Sequence, residues 1–321
     1  HLNHDLSHNC TVRWMDHDLT LLSWGGKIPI VFVLAASDVA QLHPPSPRYV
    51  LASRMAYLPR LAEEATHAFR QAVAPSGGGS QNIWFEACGI PLKWQLPIGV
   101  LVDAVRTQAT PISPLPFQIV IHFHDFPSDK ILACSGPDMS KWSYINSLKQ
   151  STCLRFGEVK KVLTGLSEIQ REQMWNALAV GNYHDFSKCN DMLHGVRCQE
   201  KGKRRCIRVV GVVSHNNNEN TQAASPGKKD NTEESKGTDN NTGGTLRNVL
   251  RPLEITEEMK EGTVTLQSFL NVEENNDKGS AIMVHGVEIP LQADVVELHE
   301  MLASADNCLY IVLCGKYLNE V

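Results

Sequence analysis

In "KWSYINSLKQ" (141–150) two lysines, Lys141 and Lys149, stand about two helical turns apart among aromatic and small polar residues. A lysine amine in such a setting can be a solvated charge, or an acceptor for an acyl group. On a helical wheel Met139, Trp142, Ile145, Leu148 and Cys153 fall on one half. Ser140, Ser143, Ser147 and Ser151 fall on the other. Lys149 sits on the apolar half beside Trp142, Ile145 and Cys153, and Lys141 lies near the edge of that half. Desolvation there favours the neutral amine, the form that attacks a thioester. A snorkelling lysine whose stem covers apolar surface fits the same pattern. The wheel leaves both lysines and both roles open.

Other residues invite chemistry less strongly. His122 and His124 alternate with Ile121 and Phe123 on a strand pattern, so they share a face. No carboxylate or thiol is visibly placed to complete a site with them, although Asp125 could orient one ring. They read as an exposed sheet face. Cys189, Cys198 and Cys206, with His184 and His194 nearby, lack the close C-x2-C or H-x3-H pairs of a zinc site, so no metal is expected. A nucleophilic cysteine needs a lowered pKa and oxyanion donors. Cys88, Cys134 and Cys153 show no such setting, and no catalytic residue or cofactor is expected. Trp84 and Trp94 read as core and interface aromatics. "GKRRC" (202–206) suits either a basic linker or a contact with anionic lipid.

The elements that hold these residues are legible from period and punctuation. The 321 residues suffice for two or three domains. A formal charge of -5 argues against a general nucleic-acid binder. No apolar run is long enough for a membrane-spanning helix, and "HLNHDLSHNC" has no apolar core of a signal peptide. Nine scattered cysteines suit reduced thiols in a cytosolic protein. Strands are expected over 27–35, 48–58, 82–94 and 115–126, with helices over 59–73 and 96–106. The order returns as strands over 204–213, 245–255, 280–292 and 307–314, with helices over 263–272 and 294–304. "WFEACGIPLKWQLPIGVLVDAV" and "IMVHGVEIPLQADVVELHEMLA" both run strand, Gly turn, short strand, short helix. This is an internal repeat of two ubiquitin-like β-grasp domains. Between them, 138–156 and 167–193 are helical by period, with Ser167 and Gln170 as a capping box. Their Trp142, Ile145, Leu148, Ile169, Trp175, Leu178 and Phe186 are expected to dock on the flanking domains.

The expected class is therefore α+β: two ubiquitin-like β-grasp domains flanking a helix-rich domain. Its parts are an N-terminal extension (1–23), a first ubiquitin-like domain (24–127), a helix-rich domain (128–200) and a second ubiquitin-like domain (201–321). "APSGGGSQ" (74–81) reads as a flexible connection, and 215–245, almost free of large apolar side chains, as a disordered insertion.

The stretches "WGGKIPIVFVL", "WFEACGIPLKWQLPIGVLVDAV", "FQIVIHFHDFP", "WSYINSLKQS" and "IMVHGVEIPLQ" resemble, in order, the autophagy protein 5 family. "WSYINSLK" looks most like its plant and algal branch. The resemblance implies a non-catalytic protein that accepts the ubiquitin-like modifier autophagy protein 12 through an isopeptide bond to one lysine. Its place in "NSLKQ" maps that lysine to Lys149. The resemblance further implies that the conjugate binds the coiled-coil autophagy protein 16. The assembly then acts like an E3 ligase in joining autophagy protein 8 to phosphatidylethanolamine during autophagosome formation. A cytoplasmic protein recruited to phagophore membranes is expected. The rival readings are a cysteine-dependent ubiquitin-like transfer enzyme and an interaction module never conjugated at all.

Overall fold

The computed structural model describes residues 19–73, 82–106, 115–157, 166–195, 204–214, 244–254, 264–272, 280–315 and 317. The 74–81 connection, and the 215–245 insertion up to residue 243, lie outside them; Gly244 and Thr245 already belong to a strand.

A helix over 19–25 (α1) leads into strands β1 (Lys27–Leu34) and β2 (Arg48–Ser53). Two short helices, α2 (Leu58–Leu61) and α3 (Glu63–Arg70), follow where the period suggests one, because the backbone turns at Ala62. The unit is completed by β3 (Trp84–Ala87), β4 (Ile90–Pro91), α4 (Ile98–Arg106) and β5 (Phe117–His122). Its sheet runs β2-β1-β5-β3-β4, with β1 and β5 parallel and Phe32 opposite Ile119. Ile30, Phe32, Phe117, Ile119 and Ile121 pack on Leu58 and Phe69. Small Ala62 and Ala65 let the helices approach the sheet.

The second unit comprises β6 (Arg204–Ser214), β7 (Gly244–Leu250), β8 (Leu253–Glu254), β9 (Ala281–Val284), β10 (Val287–Glu288) and β11 (Cys308–Cys314). Pro252 splits the strand expected over 245–255, because it lacks a ladder N–H. The order β10-β9-β11-β6-β7, with β6 and β11 parallel, is that of the first sheet element for element. The likeness extends to backbone angles. Cys88 and Gly89 join β3 to β4 with both φ positive, 51° and 76°, and His285 and Gly286 join β9 to β10 at 50° and 80°. Both are two-residue hairpin turns of the primed kind that matches strand twist.

Between the units lie α5 (Pro137–Phe156), α6 (Glu168–Val180) and α7 (Tyr183–Gly195). The Ser167–Gln170 capping box opens α6, and Gly181 in the left-handed region closes it. The second unit's own helices are α8 (Leu266–Leu270), shorter than the 263–272 expected because Asn271 turns left-handed, and α9 (Val295–Leu302). α4 touches β2 of its own unit and β6 and β11 of the other. That explains why Ile98 to Val105 is buried on every side.

Asp103 is the one charge in that run, and it forms an ion pair with Arg54. Its carboxylate also accepts from the Gly286 N–H of the second unit. Gly286 is thus under two constraints, a positive φ and the Arg54 guanidinium 3.1 Å from where a Cβ would stand. Gly89 carries only the first, its Cβ position being open. Gly89→Ala is expected to cost about 1–2 kcal/mol in chemical denaturation, and Gly286→Ala more. Equal costs would show that Arg54 does not press on the second turn.

Candidate functional site

Pro137 starts α5 in its first turn, and Gly157 ends it at φ 75°, its N–H bonded to the Cys153 carbonyl. Between these ends the helix presents three different faces. The first carries Tyr144 and Leu148, with Ile145 at its edge, all buried with Trp24, Met55, Tyr57, Trp175, Leu178, Phe186 and Ala305. Tyr57, Tyr144 and Trp175 form an aromatic triangle with ring centroids 5.7–6.2 Å apart. Trp24 closes it from α1, 4.4 Å from Phe186. Residues 19–23, read from sequence as part of an extension, lie in this helix, and Thr20 donates to the Met301 carbonyl.

The second face is the row of serines, and here the wheel misleads. Ser140 and Ser151 are fully buried, Ser140 with its hydroxyl turned back to the Pro137 carbonyl, and Ser147 between them is half-buried against Asp306. Ser147 Oγ donates to Asp306 Oδ2 at 2.5 Å, and Ser151 Oγ to the Asp306 carbonyl at 2.6 Å. Tyr310 donates to the same carboxylate at 2.7 Å, and the Cys308 N–H at 3.2 Å. Arg208 reaches Gln150 Oε1 at 2.6 Å from β6. Burial, and then the Asp306 charge, push the hydroxyls of Tyr57, Tyr144 and Tyr310 well up, so they stay neutral donors.

The third face points outward. Trp142, Asn146, Lys149 and Cys153 recur at i, i+4, i+7 and i+11, so they form one stripe. Trp142 is 61% exposed, where the sequence led us to expect a ring buried between domains. Ile169 at 70% is the other exception, whereas Ile145, Leu148, Trp175, Leu178 and Phe186 are buried as expected. Period assigns a residue to an apolar half, but only the neighbouring elements decide how much of that half is covered. Lys149 is half-buried on the stripe and has no ion pair with another described residue. Lys141 is held by Glu172 of α6.

The histidines form two separate pairs. His122 stacks on Trp84 at 3.8 Å, with Nε2 3.3 Å from Glu86. His124 Nδ1 lies 3.4 Å from Asp38, whose other oxygen accepts from the Phe123 N–H at 2.5 Å. Each ring therefore has a carboxylate the sequence did not reveal, and Asp125 is neither. Among the described residues no cluster of three His, Cys, Asp or Glu could hold a metal. His184 is exposed while Cys189 is buried, Cys206 faces Cys308 instead, and Cys198 and the His194 side chain lie outside the described residues. Burial pushes the thiols of Cys134 and Cys189 up, the opposite of an activated nucleophile. Trp84 and Trp94 are buried and donate to backbone carbonyls, as read from sequence. Asp306 and Arg208 went unnoticed because nothing in their local sequence distinguishes them. Asp103, alone among apolar neighbours in "GVLVDAV", did carry a signal.

Three family models match in chain order. They are the UblA domain (23–123), the alpha-helical bundle region (137–195) and the UblB domain (217–313) of autophagy protein ATG5. The chain belongs to the autophagy protein 5 family. It is 34% identical over 170 residues to the autophagy protein 5 of Oryza sativa subsp. indica, covering 53% of this chain and 43% of that one. The Arabidopsis thaliana protein gives the same identity, with 48% of its length covered. The Penicillium rubens protein is 29% identical over 183 residues, 53% of this chain and 57% of its own. The chain thus spans about half the length of the curated relatives it matches. The crystal structure of Kluyveromyces marxianus Atg5 superposes with a TM-score of 0.67 at 18% identity, covering 92% of this chain and 99% of that one. That likeness establishes the fold. No helix among the described residues is long and apolar enough to cross a membrane.

Two histidines brace the C-terminal end of α9 beside this site. His285 Nε2 lies 2.9 Å from the Leu302 carbonyl, and His299 Nε2 3.2 Å from that of Asn307, next to Asp306. Burial lowers His285 to about 4. Burial, then Arg205 and Arg155, lower His299 to about 3. Both folded values lie below the unfolded value near 6.5, so the unfolded chain binds protons first as pH falls. Their stabilising effect is full above about pH 6.5 and is lost on the way down to about pH 4 for His285 and 3 for His299, by about 1.4 kcal/mol per pH unit each. Tm should fall between pH 7 and pH 5, and less steeply in His299→Gln. A flat profile over that window would contradict the burial of these rings.

Proposed function

We propose that this protein is the acceptor for autophagy protein 12 and that Lys149 supplies the amine. The neutral amine attacks the thioester carbonyl of the modifier's C-terminal glycine. An amide bond forms, the carbon–sulfur bond breaks, the carrier leaves as a thiolate, and the proton lost from the nitrogen passes to water. The observation that carries this reading is the contrast within one helix. Lys141 is tied to Glu172, whereas Lys149 stands on the outward stripe with no charge partner among the described residues. A tethered amine must shed its ion pair before it can attack, and an untethered one need not. Trp142, two turns earlier on that stripe and roughly 10 Å away along the axis, offers apolar area to the modifier body.

The family supports the rest of the reading. The conjugate binds the coiled coil of autophagy protein 16, and together they act like an E3 ligase in attaching autophagy protein 8 to phosphatidylethanolamine. The protein itself is non-catalytic and cytoplasmic, and reaches phagophore membranes through these partners. Burial raises the thiols of Cys134 and Cys189, which sets those two aside as nucleophiles of a cysteine-dependent transfer enzyme. We place the domains at 24–127, 128–200 and 201–321, with α1 attached to the first.

Lys149→Arg keeps a long stem and a positive charge, but its guanidinium stays protonated and is a poor nucleophile. In cells this change should abolish the reductant-resistant adduct seen by intact mass, with Tm barely altered. Lys141→Arg should still conjugate. Loss of the adduct in Lys141→Arg alone would name the other lysine, and its survival in both would end the acceptor reading.

The two tryptophans separate packing from contact. Trp175→Ala should cost about 3–5 kcal/mol in denaturation, because its ring is buried in the aromatic triangle. Trp142→Ala should cost less than about 1 kcal/mol yet slow conjugation. A Trp142→Ala protein that conjugates at the wild-type rate would remove that ring from the contact surface.

A further inference from the structure

Cys206 and Cys308 are register partners across the parallel seam of β6 and β11. Register partners stand about 4.8 Å apart across a ladder, inside the range that a disulfide spans, and their side chains share a face. The two sulfurs lie 2.6 Å apart, closer than non-bonded sulfurs rest. Both residues are buried, at 2% and 0% exposure. Neither belongs to a hydrogen-bonded cluster of metal ligands, and neither has a part in the acceptor chemistry above.

We propose that Cys206 and Cys308 are a redox-active pair, closed to a disulfide by a two-electron oxidant of the peroxide or small-molecule disulfide class. With hydrogen peroxide two S–H bonds break and one S–S bond forms. The peroxide O–O bond accepts the two electrons and, with the two protons, leaves as two waters. With oxidised glutathione two successive exchanges release two molecules of reduced glutathione. Burial raises the Cys308 thiol, so thiolate is scarce and the folded chain reacts slowly. The oxidant's opening comes while the strands assemble, or when the seam parts locally. Closure joins residues 102 apart in sequence, a long loop for which the chain-entropy gain is large. The seam also lies under α5, since Cys308 Sγ is 3.9 Å from Ser147 Oγ. The bond would therefore stiffen the surface on which the Lys149 helix is seated.

The test refolds the full chain from denaturant in oxidised glutathione, with a reduced-glutathione control, then alkylates free thiols and maps peptides without reduction. A Cys206–Cys308 linked peptide is expected as the main crosslink, lost on adding reductant and absent in Cys206→Ala and in Cys308→Ala. The oxidised protein should melt roughly 5–10 °C above the reduced one. Where refolding yield is low, expression of the full chain in bacteria with an oxidising cytoplasm gives the same comparison. A natively folded oxidised sample in which both cysteines are alkylated would overturn the proposal. So would crosslinks that pair either cysteine mainly with another residue.

Discussion

Asp306 is a carboxylate at 1% exposure, set where α5 meets the second sheet. A buried charge without partners would be intolerable, so the surrounding elements must deliver donors to it. Ser147 comes from α5, Tyr310 from β11, and the Cys308 N–H from the start of that strand. Arg208 on β6 donates to Ser147 Oγ at 3.4 Å, beside that carboxylate. Ser151 and Tyr144 meanwhile hold the carbonyls of Asp306 and Ala305. Each donor reaches its acceptor only if α5 keeps one rotation and one height against the sheet. The orientation of the whole helix, and hence which residues it turns outward, depends on this junction.

Seen from the helix, the same junction separates its lysines. With Ser147 and Ser151 turned to Asp306 and the aromatic row turned to Trp175 and Tyr57, the stripe through Trp142 and Lys149 faces outward. Lys141, on the side toward α6, finds Glu172. A rotation of one residue along the helix would turn the serine row away from Asp306 and the aromatic row away from Trp175. Polar contacts of this kind add modest net stability, because each replaces a bond to water. Their larger effect is that the wrong rotation leaves a buried carboxylate unsatisfied.

The two β-grasp units are joined by a comparable device on the far side. Ile98 to Val105 of α4 is buried on every side because the helix meets both sheets, and the one charge in that run, Asp103, is paired with Arg54 rather than with water. The Gly286 N–H completes that carboxylate from the second unit, so a hairpin turn in one domain is matched to a helix in the other. Both contacts recruit repeated elements of the two units, a helix from one and a Gly turn from the other. The repeat therefore supplies the fold, and the charges placed on it supply the docking.

Much of this was legible in the chain itself. Alternation in "FQIVIHF", the helical period of α5, the Ser167–Gln170 box and the paired Gly turns follow from local stereochemistry, which sequence encodes directly. They sufficed for the two β-grasp units and the helices between them, while the choice of Lys149 over Lys141 came from the family resemblance. The single helix read over 59–73 divides at Ala62 and stops at Arg70, the strand read over 48–58 stops at Ser53 before a helix begins at Leu58, and the strand read over 245–255 breaks after Leu250. What sequence could not state is which half of an amphipathic helix meets water. Ser147 and Ser151 of α5 turn inward to Asp306, remote in sequence, and Trp142 is exposed because no described element covers it. His122 and His124 likewise gained Glu86 and Asp38 from other parts of the chain. The sequence by itself determined the elements and the candidate amine. The tertiary structure alone decided that Lys149 is half-buried without an ion pair among the described residues and that Lys141 is tied to Glu172, because burial and pairing belong to contacts between distant segments.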